Sequence, residues 1–166
     1  MSEDQVVTVQ PSPPIGATAP PVLGLGLAGP VDSGALTGRP FVLYFYPKDS
    51  TPGCTTEAQD FRDQAEAFAA LGVQIIGVSR DSLKSHGRFR DKEALPFELI
   101  ADEDGALCGA WGVWQEKKQY GRSYMGIVRS TFLVNAAGVV VGAWTGVRVK
   151  GHVDAVLEAA RALPRS

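Results

Sequence analysis

One of the two cysteines of the chain, Cys54, lies in the stretch FYPKDSTPGCTTEAQDF at residues 45–61, between a predicted strand and a predicted helix. Thr51 is typical of a helix N-cap and Pro52 of the first helical position, so Cys54 is expected in the first turn. The amide hydrogens of that turn have no partner within the helix and favour a negative charge. A free cysteine is more often a small buried hydrophobic residue, but the flanking turn residues favour a reactive thiolate.

A helix dipole alone ionises a thiol only in part. It typically contributes about 0.3–1 kcal/mol, whereas one pKa unit corresponds to about 1.4 kcal/mol. A fixed cation is therefore expected near the sulfur. Arg129, at the start of the predicted strand RSTFLV, is the candidate because a guanidinium stays charged. Lys48 and Arg62 are closer in sequence, but a lysine in a turn and an arginine on a helix are usually solvated.

The other residues of the chain restrict the chemistry that Cys54 can perform. A cysteine hydrolase needs a histidine base, and the chain has only His86 and His152. His86 falls in a marginal, exposed helix predicted over 82–94, and His152 opens the last helix, where a capping or surface role is expected. A dithiol oxidoreductase needs a second cysteine where the chain has Glu57. Oxidation of one thiolate to sulfenic acid needs neither a histidine nor a second cysteine.

The pattern of strands and helices is typical of an α/β protein. Three apolar runs, FVLYFY, VQIIGVS and FELIAD, predict parallel strands joined by helices in right-handed crossovers, with Cys54 at the carboxyl edge of the sheet. EDGALCGAWGV predicts a short helix that carries Cys108, and RSTFLVNAAGVVVGAW predicts a hairpin with its turn near 135–138. An apolar stripe from Val153 predicts a closing helix. The expected order is a β-hairpin, then βαβαβα, then ββα.

The glycine-rich segment GLGLAG at 24–29 has two interpretations. It matches the dinucleotide-binding pattern GxGxxG, which requires a helix that opens at its glycines. Pro30 and VDSGALTG follow instead, so a strand or hairpin is the favoured interpretation.

Composition limits the classes of function. The chain has 166 residues, of which 45% are hydrophobic and 20% charged, and its net charge of −2 provides no broad positive surface for nucleic acid. No apolar run approaches the ~20 residues of a membrane span, and the N-terminus lacks the features of a secretory signal. The expected location is therefore the cytoplasm. Residues 1–14 are expected to form a flexible arm and residues 15–166 a single domain.

The stretch YFYPKDSTPGCTTEAQDFRD resembles the peroxidatic segment of peroxiredoxins, and closely that of their bacterioferritin-comigratory-protein (PrxQ) branch. The family motif PxxxTxxC is met by Pro47, Thr51 and Cys54, and GIVRSTFLVN resembles the strand that carries the family arginine, here Arg129. The resemblance covers residues 15–163 approximately. It implies a thioredoxin-like α/β fold, in which helices flank a central mixed β-sheet with an N-terminal β-hairpin. It also implies a thiol peroxidase that uses no metal or other cofactor.

The resemblance assigns the chemical roles. Cys54 would attack a peroxide oxygen as thiolate, and the Thr51 hydroxyl with the Cys54 amide would hold the peroxide oxygens. Arg129 would stabilise both the thiolate and the developing oxyanion. Two prolines, Pro47 and Pro52, would shape the loop and shield the sulfenate from solvent.

One further residue of the motif, Glu57, has two expected roles. It either anchors a basic partner or, as a glutamate in a first turn, only interacts favourably with the helix dipole.

The reduction of oxidised Cys54 is where this chain departs from the family. Many members of the branch carry a resolving cysteine five positions later, where this chain has Gln59, and the alternative family position falls in 80–95, which contains no cysteine. Cys108 remains, but a disulfide needs Cα atoms within about 7 Å, and its apolar setting favours a structural thiol. We therefore expect a one-cysteine cycle completed by thioredoxin, a glutaredoxin-like protein or a small thiol. A two-cysteine cycle through Cys108 is the alternative.

Two other functions are compatible with the sequence. One is a redox sensor or binding module on the same scaffold, since a fold does not determine a function. The other is a dinucleotide binder built on GLGLAG. The presence of Thr51, Cys54 and Arg129 favours the peroxidase, and members of the branch are often monomers, which implies a monomer here.

Overall fold

The computed structural model describes residues 11–36 and 38–164, and this part of the chain forms nine strands and five α-helices. The strands are β1 (Leu23–Gly26), β2 (Gly29–Asp32), β3 (Phe41–Phe45), β4 (Gln74–Ser79), β5 (Glu98–Ala101), β6 (Trp114–Gln119), β7 (Arg122–Ile127), β8 (Ser130–Val134) and β9 (Val140–Thr145). The helices are α1 (Pro52–Asp63), α2 (Ala65–Ala70), α3 (Leu83–Glu93), α4 (Ala106–Ala110) and α5 (His152–Arg161), and a 3-10 turn covers Ser33–Leu36.

A mixed sheet forms the centre of the fold. Within the described residues it has seven strands in the order β2-β1-β5-β4-β3-β8-β9. Strands β3, β4 and β5 are parallel, as predicted, while β1, β8 and β9 join antiparallel to their neighbours. Helix α1 follows β3, so its N-terminus lies at the carboxyl edge of the parallel strands.

The sheet separates two apolar layers. All five residues of β3 are buried, and they alternate between the layers, which explains why this strand is a continuous apolar run. Tyr44 belongs to a buried cluster on one face that includes residues of four helices: Phe61 of α1, Phe68 of α2, Phe89 of α3 and Val156 of α5. Phe45 packs on the opposite face with Cys108 of α4, Trp111, Ile127 and Phe132.

Two helix predictions needed correction. One helix was predicted after Cys54, but the chain turns at Gln64 and forms two, α1 and α2. Helix α3 was predicted to be exposed, yet its residues His86 and Phe89 are buried. The prediction failed because these two residues lie among mostly charged and polar ones and form no recognisable apolar stripe in the sequence.

The β6–β7 hairpin was not predicted. Its strands WQEKKQ and RSYMGI form a separate two-stranded sheet whose residues are largely exposed. The alternation of apolar and polar residues that identifies a half-buried strand is weak in such a hairpin.

The segment GLGLAG belongs to the N-terminal hairpin of β1 and β2, which confirms the strand interpretation. A Cβ at Gly24 would lie 2.6 Å from Ile100 Cγ2, so this glycine permits close contact with β5. The Glu98 carboxylate accepts hydrogen bonds from the amides of Leu27 and Ala28 at 2.7 and 3.0 Å. The turn thus binds a carboxylate of its own chain.

The predicted arm, residues 1–14, falls mainly outside the described residues. Within its last part, the Ser12 hydroxyl donates to the Gly112 carbonyl at 3.3 Å and Pro13 is buried. Across the described residues, no helix combines the length and the apolar character needed to cross a bilayer.

Gly77 of β4 provides a test of the packing between sheet and helices. A Cβ there would lie 2.8 Å from Leu99 Cδ2 and 3.0 Å from the Tyr44 ring. We expect Gly77→Ala to lower the free energy of unfolding by about 1–3 kcal/mol in urea denaturation, because the core must be overpacked. Gly87→Ala in α3 is the control, since its nearest contact is Leu27 Cδ2 at 4.0 Å. Equal losses in the two variants would contradict this account.

Candidate active site

Cys54 lies in the first turn of α1, where the sequence predicted it. Thr51 is the N-cap with φ −87° and ψ 155°, Pro52 opens the helix, and Cys54 is 3% exposed. The Thr51 hydroxyl donates to the Lys48 carbonyl at 2.8 Å. It therefore ties together the loop that connects β3 to α1, residues 46–51.

Arg129 reaches the sulfur from 75 positions further along the chain. Its Nη2 donates to Cys54 Sγ at 3.4 Å, and its Nη1 donates to Glu57 Oε1 at 2.6 Å. The approach follows from the sheet register, because Phe45 at the end of β3 pairs with Ser130, the residue after Arg129. The structure thus brings together the cation and the thiol that the sequence analysis proposed as a pair.

Gly53 makes this approach sterically feasible. A Cβ on Gly53 would lie 3.2 Å from Arg129 Nη2, closer than most such contacts. This role was not predicted, although glycine between Pro52 and Cys54 is a signal of close backbone approach.

Glu57 is completely buried beside the guanidinium. Its Oε1 accepts from Arg129, while no described residue offers a hydrogen bond to its Oε2 or to the Tyr44 hydroxyl. Burial raises the pKa of Glu57 to about 7, against the opposing effect of Arg129. Burial acts against the charge of Arg129, but the charges of Glu57 and Cys54 raise the pKa of that guanidinium. Of the two expected roles of Glu57, contact with a basic partner is the one present.

Two further residues near the guanidinium were not predicted. Lys117 of β6 donates from Nζ to the Ile127 carbonyl at 2.9 Å. Burial and Arg129 lower the pKa of Lys117, while the charge of Cys54 acts in the opposite direction. His152 is buried and its Nε2 forms a 2.8 Å hydrogen bond with Thr131 Oγ1, so the surface role predicted for it is wrong. Burial and Arg129 lower the pKa of His152 to about 4, which leaves its imidazole neutral at pH 7.

The two predicted prolines lie on either side of Thr51, Pro47 in the loop and Pro52 at the first position of α1. Pro47 is half-buried, and Pro52 is exposed at the edge of a groove of about 640 Å³ that runs between α1 and the start of α5. Ser50 adopts a left-handed conformation with φ 62°, which only surrounding contacts can maintain in a residue other than glycine.

Cys108 lies in α4 on the other side of the sheet from Cys54. It is completely buried, and its amide donates to Asp102 Oδ2 at 2.8 Å. Burial and the Asp102 carboxylate raise the pKa of the Cys108 thiol well above its usual range. Both helices start at the same edge of the sheet, but they cover opposite faces, and both thiols are free.

Comparisons with known proteins agree with the geometry. Residues 15–143 match the AhpC/TSA family. Peroxiredoxin Bcp of Bacillus subtilis is 54% identical over 121 residues, which are 73% of this chain and 77% of that protein. A structure of the bacterioferritin comigratory protein of Xanthomonas campestris, which concerns its alkyl peroxide reduction activity, is 48% identical with a TM-score of 0.81 and covers 85% of this chain and 90% of that one. A PrxQ variant of Xylella fastidiosa is 38% identical with a TM-score of 0.85 and covers 92% and 98%.

The chain belongs to the AhpC/TSA family, and its relatives are Bcp and PrxQ peroxiredoxins. The predicted family resemblance and the thioredoxin-like fold are confirmed. The protein is accordingly a peroxiredoxin, an enzyme that reduces peroxides with electrons from thiols.

The buried Glu57 predicts a pH dependence of stability. Its pKa is about 7 in the folded chain against 4.5 ordinarily, so the folded state binds this proton more tightly. The stabilisation is present below pH 4.5 and is lost as the pH rises through about 7. Relative to Glu57→Gln, the free energy of unfolding of the unmodified chain should fall by roughly 2–4 kcal/mol over this interval in urea titrations.

The control for this prediction is Glu66→Gln, which removes an exposed glutamate of α2. Its stability should follow that of the unmodified chain at every pH. If Glu57→Gln does the same, Glu57 does not change its protonation in this interval.

Proposed function

We propose that Cys54 is the peroxidatic residue of this enzyme and that Arg129 activates it. The observation that carries the proposal is the guanidinium placed 3.4 Å from a sulfur in the first turn of a helix. The cation and the helix amides both favour a thiolate, which is the nucleophilic form of cysteine. At Cys108 burial and the Asp102 carboxylate outweigh the charge of Arg80, so its thiol stays protonated.

In the proposed reaction the Cys54 thiolate attacks the terminal oxygen of a hydroperoxide. An S–O bond forms as the O–O bond breaks, and the sulfur is oxidised by two electrons to sulfenate. The hydroperoxide proton passes to the leaving oxygen, which departs as an alcohol, or as water when the substrate is hydrogen peroxide. The Arg129 guanidinium stabilises the negative charge as it moves from the sulfur to the leaving oxygen.

We assign the remaining contacts with peroxide to the loop and the start of α1. The amide of Cys54 belongs to the first turn, where donors have no partner within the helix and can hold an oxygen. The Thr51 hydroxyl already donates to Lys48, so its oxygen can accept the hydroperoxide proton during binding. Pro47 and Pro52 limit solvent access to the Cys54 amide and the Thr51 hydroxyl. Glu57 orients Arg129 through the 2.6 Å ion pair.

We propose hydrogen peroxide and alkyl hydroperoxides as substrates. The alkyl peroxide reduction activity of the Xanthomonas campestris relative supports this substrate class.

We further propose that an external thiol reduces the oxidised enzyme. A direct disulfide would require Cys54 or Cys108 to leave its apolar layer and pass around the edge of the sheet. In the external route one thiol condenses with the Cys54 sulfenic acid, forming a mixed disulfide and water. A second thiol then releases Cys54 and leaves as the external disulfide. Thioredoxin, a glutaredoxin and a small thiol are the donors we consider, and the monomeric state and cytoplasmic location stay predictions.

The two cysteines can be tested separately. We expect Cys54→Ser to abolish peroxide consumption and Cys108→Ser to retain it, with either thioredoxin or a small thiol as reductant. Treatment of the unmodified protein with one equivalent of peroxide should give a Cys54 sulfenic acid by mass spectrometry under non-reducing conditions. A Cys54–Cys108 disulfide in high yield would contradict the one-cysteine cycle.

The alternative of a redox sensor without turnover is separated by kinetics. Stopped-flow measurement should show the reduced protein consuming peroxide far faster than free cysteine does. A rate equal to that of free cysteine would favour the sensor.

A further inference from the structure

A buried polar cluster lies beneath the β3–α1 loop, and the proposed reaction does not yet use it. Its centre is Asp49, which is 5% exposed. Asp49 Oδ1 accepts from the Tyr46 hydroxyl at 2.6 Å, and Oδ2 accepts from Ser85 Oγ at 2.8 Å and faces His86 Nδ1 at 2.7 Å. The Asp49 amide donates to Asp81 Oδ2 at 2.8 Å. We call these five residues the loop anchor.

His86 provides the positive charge of the loop anchor. Its ring is completely buried, with Nδ1 at the Asp49 carboxylate and Nε2 at 2.8 Å from the Ile100 carbonyl. A carboxylate and a carbonyl can only accept hydrogen bonds, so the ring satisfies both by carrying a proton on each nitrogen. Burial opposes this charge, but the hydrogen bond and charge of Asp49 raise the pKa of His86.

Three side chains that can bind a metal, Asp49, Asp81 and His86, place their ligand atoms within 4.8 Å of one another. The hydrogen bonds of these residues favour a protonated His86 rather than a bound metal ion. Asp81 Oδ2 is engaged by the Ser79 hydroxyl and the Asp49 amide, and His86 directs its second nitrogen at a carbonyl. A cation at the centre would have to displace these donors.

The position of the loop anchor connects it to the sulfur. Asp49 lies between Lys48, whose carbonyl accepts from the Thr51 hydroxyl, and Ser50, whose φ is 62°. A strained residue of this kind keeps its conformation only while its neighbours are held. The Asp49 side chain and amide attach this segment to α3 and to Asp81 in the turn between β4 and α3.

We propose that Asp49 and His86 are positioning residues for the peroxidase reaction: the imidazolium holds Asp49, and Asp49 holds the loop so that Thr51 faces the Cys54 sulfur. The inference rests on Cys54 being the peroxidatic residue. It concerns only the side of His86 that faces Asp49, because the Ile100 side attaches the ring to β5.

Two conservative substitutions separate the two sides of the ring. In His86→Asn the amide nitrogen replaces Nδ1 and retains a donor to Asp49. In His86→Gln the amide nitrogen replaces Nε2 and retains a donor to Ile100. Each variant loses one buried hydrogen bond and the charge, so their stabilities should be similar. We expect His86→Gln to lose peroxide reactivity tenfold or more, on the order expected for misplaced reacting groups, and His86→Asn to retain most of it.

A second readout distinguishes positioning from general destabilisation. Alkylation of Cys54 by iodoacetamide depends on the thiolate and its access, but needs no hydroperoxide site. The alkylation rate should therefore stay unchanged or rise in His86→Gln while the peroxide rate falls. Equal losses of the peroxide rate in the two His86 variants, or a parallel fall in alkylation, would overturn the proposal.

A milder pair of variants covers the case in which a His86 variant does not fold. Ser85→Ala removes one hydrogen bond to Asp49. Ser82→Ala removes only the N-cap of α3, because the Ser82 hydroxyl oxygen accepts from the Ser85 amide at 3.1 Å and does not contact Asp49. We expect a severalfold loss of peroxide rate in Ser85→Ala and none in Ser82→Ala. Equal rates in this pair would also overturn the proposal. If the unmodified protein itself reacts with peroxide no faster than free cysteine, the proposed function fails and the positioning role fails with it; if only the variant pairs behave alike, the positioning role alone fails.

Discussion

The active site depends on one guanidinium that is shared between a thiol and a buried carboxylate. Arg129 contacts Cys54 and Glu57 with different nitrogens of the same planar group. A lysine could not reproduce this geometry, because its ammonium is a single point charge on a flexible stem. The fork of the arginine lets the carboxylate determine its orientation while the other arm remains directed at the sulfur.

Burying these two charges costs hydration free energy, and the cost is larger for Glu57 than for Arg129. The Glu57 side chain is fully buried and the Arg129 side chain is 16% exposed, so the carboxylate loses more hydration. Burial is the larger effect on the pKa of Glu57, whereas at Arg129 the neighbouring negative charges and hydrogen bonds together outweigh burial and raise the pKa. Tyr44 and Glu57 each keep one buried oxygen that no described residue satisfies.

The β3–α1 loop is held by contacts on two sides. On one side Thr51 closes the loop onto Lys48, and Gly53 leaves space for Arg129. On the other side Asp49 enters a buried cluster with His86. The sheet brings these parts together, because β3 ends at its carboxyl edge, where the loop begins, and Arg129 immediately precedes β8 at the same edge. The same sheet keeps the second thiol, Cys108, in the opposite layer.

The sequence by itself determined the local features: the strand, turn and helix around Cys54, the motif of Pro47 and Thr51, and the hairpin nature of GLGLAG. These depend on residues close in the chain, whose backbone preferences and hydrogen bonds are readable from order and spacing. Only the tertiary structure decided that Arg129 and Glu57 form a pair, that His86 is a buried partner of Asp49, and that the two cysteines lie on opposite faces. These facts depend on strand register and on which face each helix covers, and both result from packing between distant segments.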